Sequence, residues 1–134
     1  MKRLAAPILA LLLAACSTME SPRACLAGKP MIETQLYFGL SKSHGAVSVR
    51  EWDGFVEREI TPRLPQGFTI LDAHGFWLSA QAKHTISENS KVLIRVHDGA
   101  GKDNEAIAAI IESYKRVFAQ ESVLRVDEAI CAAF

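Results

Sequence analysis

Hydrophobic periodicities in the order β-α-β-β-α-β predict an α+β domain of the split-βαβ, ferredoxin-like plan: a four-stranded antiparallel sheet with two helices on one face. Three observations carry that expectation. Ile32, Leu36 and Phe38 alternate against Glu33, Gln35 and Tyr37, the period-2 signature of a half-buried strand. Ser48-Val49-Arg50-Glu51 forms a capping box ahead of a helical stripe, and a second stripe at Ile107, Ile110, Ile111, Tyr114 and Phe118 marks another helix.

Each element follows from its neighbours. Met31–Phe38 is the first strand, closed by Gly39 and the polar run Ser41–Gly45. The first helix starts at Ser48, with Val47 and Trp52 at the staple positions. Its stripe is Val49, Trp52, Phe55, Val56 and Ile60, and Pro62 ends it. Phe68–Leu78 reads as one bulged strand or a tight hairpin, because Asp72–Gly75 interrupts its β-formers. Lys91–His97 is a strand with Val92, Ile94 and Val96 on one side and Leu93, Arg95 and His97 on the other. The apolar side is expected to meet the helices. The second helix runs over Asn104–Ala119, and Ser122–Ala132 supplies the last strand.

The first 15 residues are of another kind. Lys2 and Arg3 precede an apolar run from Leu4 to Ala15, too short to span a bilayer, which needs roughly 20 apolar residues. Leu13-Ala14-Ala15-Cys16 has the pattern of a lipobox, so 1–15 is expected to be a lipoprotein signal peptide and Cys16 the acylated mature N-terminus, palmitate included. Residues 16–30 then form a lipidated tether and 31–134 a single domain. Ser17 rather than Asp follows the cysteine; by resemblance to known lipoprotein systems, this implies sorting to the outer membrane, facing the periplasm.

Removal of Lys2 and Arg3 from the chain's 15 basic residues leaves 13 against 15 acidic ones. That balance lacks the basic footprint of a nucleic-acid binder. Cys25 and Cys131 remain after acylation of Cys16, in an oxidising compartment. An intramolecular disulfide is the economical reading, against buried free thiols or intermolecular pairing. The topology strengthens it, since antiparallel first and last strands bring these cysteines to one end of the sheet.

Tyr37-Phe38-Gly39, Trp52 with Phe55, Thr61-Pro62-Arg63-Leu64-Pro65-Gln66-Gly67-Phe68, Asp72 with Gly75 and Trp77, Glu88 with Ser90-Lys91-Val92, and Tyr114-Lys115 with Phe118 carry a resemblance. Together they resemble the domain of unknown function 3574 family of small secreted bacterial proteins with a TPRFP-type motif. The chain departs from that pattern at Leu64, Phe76 and Ser87. The resemblance implies no activity.

No catalytic motif stands out. His44, His74, His84 and His97 lie in separate segments without metal-ligand spacing, so no metal site is expected. There is no G-x-S-x-G elbow, phosphate-binding loop or other cofactor motif. Arg63, between two prolines, is expected to be anchored by Asp72 or Glu88 or to bind an anion. Glu33, Tyr37, Arg95 and His97 are expected on the sheet face away from the helices. Trp52 and Trp77 read as packing residues. Two functions follow from different classes. The first is a non-catalytic envelope lipoprotein that binds a protein partner or forms a homodimer through its open sheet. The alternative is a small-ligand receptor or enzyme with a pocket near Tyr37, Arg63, Asp72 and Glu88.

Overall fold

The computed structural model describes residues 24–78 and 83–134. The segment expected to be a signal peptide, the expected acylation site Cys16 and the expected tether as far as Arg23 lie outside the described residues. The elements are β1 (Lys29–Gly39), α1 (Val49–Phe55) continued by a π-helical turn (Val56–Ile60), β2 (Thr69–Leu78), β3 (Thr85–His97), α2 (Gly101–Phe118) and β4 (Leu124–Ala132). The strands form one antiparallel sheet in the order β2-β3-β1-β4. The expected ferredoxin-like architecture is therefore the observed one.

Local chemistry starts α1. The Glu51 amide donates to Ser48 Oγ (3.3 Å), while the Ser48 amide donates to the Glu51 carboxylate (2.8 Å), so two orphan donors of the first turn are satisfied reciprocally. Val47 and Trp52 are both buried beside this cap. The Lys42 ammonium, then the Ser48 amide and hydroxyl, hold the Glu51 carboxyl down at about 2. A carboxylate lowered on folding adds stability above its unfolded value of 4.5 and loses it as pH falls through about 2. Glu51→Gln should therefore flatten the stability profile between those two values. Urea midpoints measured across that range check this; a slope unchanged in the variant would assign the titration to another group.

The stripe of α1 does not continue as a regular helix. The Thr61 amide donates to the carbonyl of Val56, five residues back (2.9 Å), and the extra residue turns both Phe55 and Ile60 into the core. The core itself is aromatic. Phe38 of β1, Trp52 and Phe55 of α1, and Tyr114 and Phe118 of α2 contact one another at centroid separations of 4.7–6.4 Å, mostly edge-on. Full burial of each such side chain contributes about 1.5–3 kcal/mol. Tyr114 also donates its hydroxyl to the carbonyl of Gly39 (2.7 Å), and burial pushes its phenol above the usual range.

Three expectations change. Phe68–Leu78 is neither bulged nor a hairpin but the continuous strand β2, paired residue by residue from Thr69↔Ile94 to Leu78↔Thr85. β3 begins six residues earlier than Lys91, because the polar stretch Thr85–Ser90 pairs with β2 in a hairpin arm that extends past the core. The two sides of β3 are also reversed: Leu93, Arg95 and His97 are buried on the helix side, while Val92, Ile94 and Val96 share the open side with Tyr37, Gln35 and Glu33.

Candidate functional site

The register builds the open face row by row. One row is Leu71–Val92–Tyr37–Leu124, the next Thr69–Ile94–Gln35–Val126, and the third pairs Val96 and Glu33 with Glu128. Leu71, Trp77, Leu124 and Val126 stay between 41% and 58% exposed there, so a broad apolar surface meets solvent. Down its middle runs a polar ladder along β1: Tyr37 donates its hydroxyl to Gln35 Oε1 (2.6 Å), and Gln35 donates its amide nitrogen to Glu33 Oε1 (2.7 Å). The ladder fixes the orientation of Glu33.

Glu33 and Glu128 face each other across β1 and β4. Like charges directly opposite on adjacent strands are destabilising. Among the described residues neither makes an ion pair, and Lys29, at the first position of β1 beside Asp98, is the one basic strand side chain that alternates onto this side. With Glu88 farther along β3, the face is apolar and acidic.

The four pocket candidates do not converge. Tyr37 and Glu88 are both on the open side, but Glu88 lies four residues beyond Val92, the partner of Tyr37, about 13 Å along the strand. Glu88 accepts from the Trp77 indole (3.0 Å) and the Ser41 amide (3.1 Å). Its carboxylate occupies the space where a side chain on Gly39 would begin, 2.6 Å from the ideal Cβ position. Asp72 is on the opposite side of the sheet, paired with Lys91. Arg63 is held by Glu59 through both its carboxylate (3.0 Å) and its backbone carbonyl (2.7 Å), instead of by Asp72 or Glu88. Glu59 is one helical turn away, so the local partner wins over the distant ones. Trp52 is a core residue as expected; Trp77 belongs to the open face.

Under the helices, sequence reasoning missed two polar networks. Arg95, 6% exposed, donates to Asp103 through Nε (3.1 Å) and Nη2 (2.9 Å), to Gln66 Oε1 (2.7 Å) and to the carbonyl of Gly67 (3.0 Å). This ties the end of β3 to the first turn of α2 and to the loop before β2. His97 is 2% exposed. The Gly99 amide donates to its Nδ1 (3.1 Å), which leaves Nε2 to donate to Thr34 Oγ1 (2.9 Å); the Thr34 hydroxyl donates in turn to Asp127 (2.5 Å). Burial pushes the Asp127 carboxyl up, but the Thr34 hydroxyl and the Arg125 guanidinium outweigh it and hold it below its usual range. Both networks are closed on themselves: no buried side-chain polar atom among the described residues lacks a partner. The signal for Arg95–Asp103 was present as opposite charges eight residues apart across a turn.

Two concavities flank these elements. One, of about 430 Å³, lies at the end of the sheet where β1 begins and β3 ends, and is lined in part by Lys29, Arg95, Lys102 and Phe134. The other, of about 410 Å³, lies between the start of α1 and the β2–β3 arm, beside Asp72 and Lys91. Among the described residues no three potential metal-ligating acids, histidines or cysteines come together, and no helix is long and apolar enough to cross a membrane.

The fold and this open sheet define a small α+β domain of the split-βαβ class. The family described as "Protein of unknown function (DUF3574)" matches residues 33–134, and the chain belongs to it. No curated protein matches the chain. Among solved structures it is similar to a phage SAM lyase in complex with S-methyl-5'-thioadenosine, with a TM-score of 0.57 and 18% identity over 84% of this chain and 97% of that one. The apo state of a phage SAM lyase is similar too, with a TM-score of 0.55 and 19% identity over 85% and 98%. At these identities the likeness is one of fold.

Proposed function

We propose that the chain is a lipid-anchored protein of the bacterial envelope whose domain is a non-catalytic docking module. Its open sheet face binds a protein surface that is apolar and carries lysine or arginine. The observation behind this reading is the face itself: exposed Leu71, Trp77, Leu124 and Val126 around a central strand whose polar ladder ends at the facing pair Glu33–Glu128. Apolar area supplies the attraction, and a partner's cation relieves the like-charge pair. Charge complementarity also argues against a second copy packed sheet to sheet, because each copy would bring its own carboxylates to the contact. A sheet-sized face of about 800 Å² per partner is what a stable interface buries.

The enzyme alternative has the activity of its structural neighbours on its side and little in the geometry, since Tyr37, Arg63, Asp72 and Glu88 are spread over both sides of the sheet and the helical layer.

The test is photo-crosslinking in intact cells from a benzoylphenylalanine placed at Leu71 or Val126, with and without Glu33→Lys/Glu128→Lys. The expected result is one discrete adduct to a different protein, lost on charge reversal. A self-adduct, or adducts that survive reversal, would contradict the proposed partner chemistry.

A further inference from the structure

The disulfide and the lipobox together constrain how the domain meets the membrane. Cys25 is bonded to Cys131 at a Cα separation of 5.6 Å. Gly28, at φ +74°, turns the intervening segment so tightly that its ideal Cβ would sit 2.0 Å from the carbonyl oxygen of Ala132. The chain is therefore clamped to the start of β1 and the end of β4 already at position 25. Only residues 17–24 separate this clamp from Cys16. Nine virtual bonds reach at most about 30 Å. A domain of this size has a radius of gyration of about 13 Å. An acylated Cys16 thus keeps this end of the sheet at the bilayer, at an effective concentration in the millimolar range.

That end presents two large apolar side chains to solvent. Leu26, next to the disulfide, is 106% exposed and Phe134, just past β4, is 100% exposed. Lys29 and Lys102 line the same end together with Phe134, with Asp98 beside Lys29 and Asp103 held by Arg95. At millimolar effective concentration even a weak insertion is populated. Resting on the reading of Cys16 as acylated, we infer that this end is a membrane-docking surface. Leu26 and Phe134 enter the headgroup boundary, Lys29 and Lys102 stay at the level of the lipid phosphates, and the open sheet face stands roughly upright, accessible from the side.

The test uses the acylated full-length protein, isolated from membranes and reconstituted into vesicles of phosphatidylethanolamine and phosphatidylglycerol, with and without 6,7-dibrominated phosphatidylcholine. Leu26→Trp, Phe134→Trp and, at the far end of the hairpin arm, Leu78→Trp are compared after subtraction of the unsubstituted protein's emission. The brominated lipid should quench the added tryptophan at positions 26 and 134 about twofold and leave that at position 78 unchanged, given insertion to the 5–10 Å typical of interfacial side chains. Vesicle-bound protein with no quenching at either position, or equal quenching at all three, overturns the docked orientation while the anchor stands. Protein that carries no acyl chain and stays out of the vesicle fraction overturns the anchor reading, and the docking reading falls with it.

Discussion

Cys25→Ala/Cys131→Ala should lower the stability of the domain by about 4–5 kcal/mol, the chain-entropy cost of opening a loop of about a hundred residues. The bond joins positions 106 apart in sequence, so it constrains almost the whole described chain in its unfolded state. It also closes the outer edge of the sheet, where β4 pairs with β1 alone. The urea midpoint of the double variant, against the oxidised protein at equal pH, reads the effect directly. A difference below about 1 kcal/mol would mean that the β1–β4 ladder holds this edge without the crosslink.

Asp103→Ala should cost about 3–5 kcal/mol, because it leaves the Arg95 guanidinium buried without its counter-charge. Side-chain exposures of 7% and 8% for the two partners place the pair away from screening water. Gln66 and the carbonyl of Gly67 would remain to accept from Arg95, but neither carries charge. Replacing both partners, as in Arg95→Met/Asp103→Leu, should restore much of the loss, since an apolar pair of similar volume has no stranded ion. Thermal unfolding of the two variants beside the unsubstituted protein measures this. Equal losses in the single and double variants would show that packing volume, not charge, is what the site requires.

The parts of this fold that were legible in sequence are those governed by local chemistry. Ser48, Glu51, Val47 and Trp52 announce the start of α1 because a cap and a staple involve only neighbouring residues. The alternation of β1 and the stripe of α2 were likewise readable, and the β-α-β-β-α-β order then fixed which strands are adjacent. What could not be read was the choice between two sides of one strand. Val92, Ile94 and Val96 form the more apolar side of β3, yet they face outward, because the side toward the helices spends two positions on Arg95 and His97, each satisfied by a residue from another element. A period-2 pattern carries no information about Asp103 or Thr34 as partners. Thr85–Ser90 was missed for a related reason: its strand form comes from pairing with β2 beyond the core, not from its own apolar content. The candidate site divides in the same way. Tyr37 and Glu33 were placed on the open face from alternation alone, whereas the like-charge pair Glu33–Glu128 needs the β1–β4 register, and Arg63 found its partner one helical turn away at Glu59.

The open face that Val92, Ile94 and Val96 share with the neighbouring strands is also the center of the functional reading, and solvent access to its exposed residues in the cell tests that reading most directly. Hydroxyl-radical footprinting of intact envelopes, compared with the purified protein, reports on Leu71, Trp77, Leu124 and Val126 on the open face and on Val49 and Val117, exposed on α1 and α2. The docking account predicts that the four sheet residues are protected in the envelope and that Val49 and Val117 react equally in both samples. Equal reactivity of the sheet residues in envelope and in solution would contradict it.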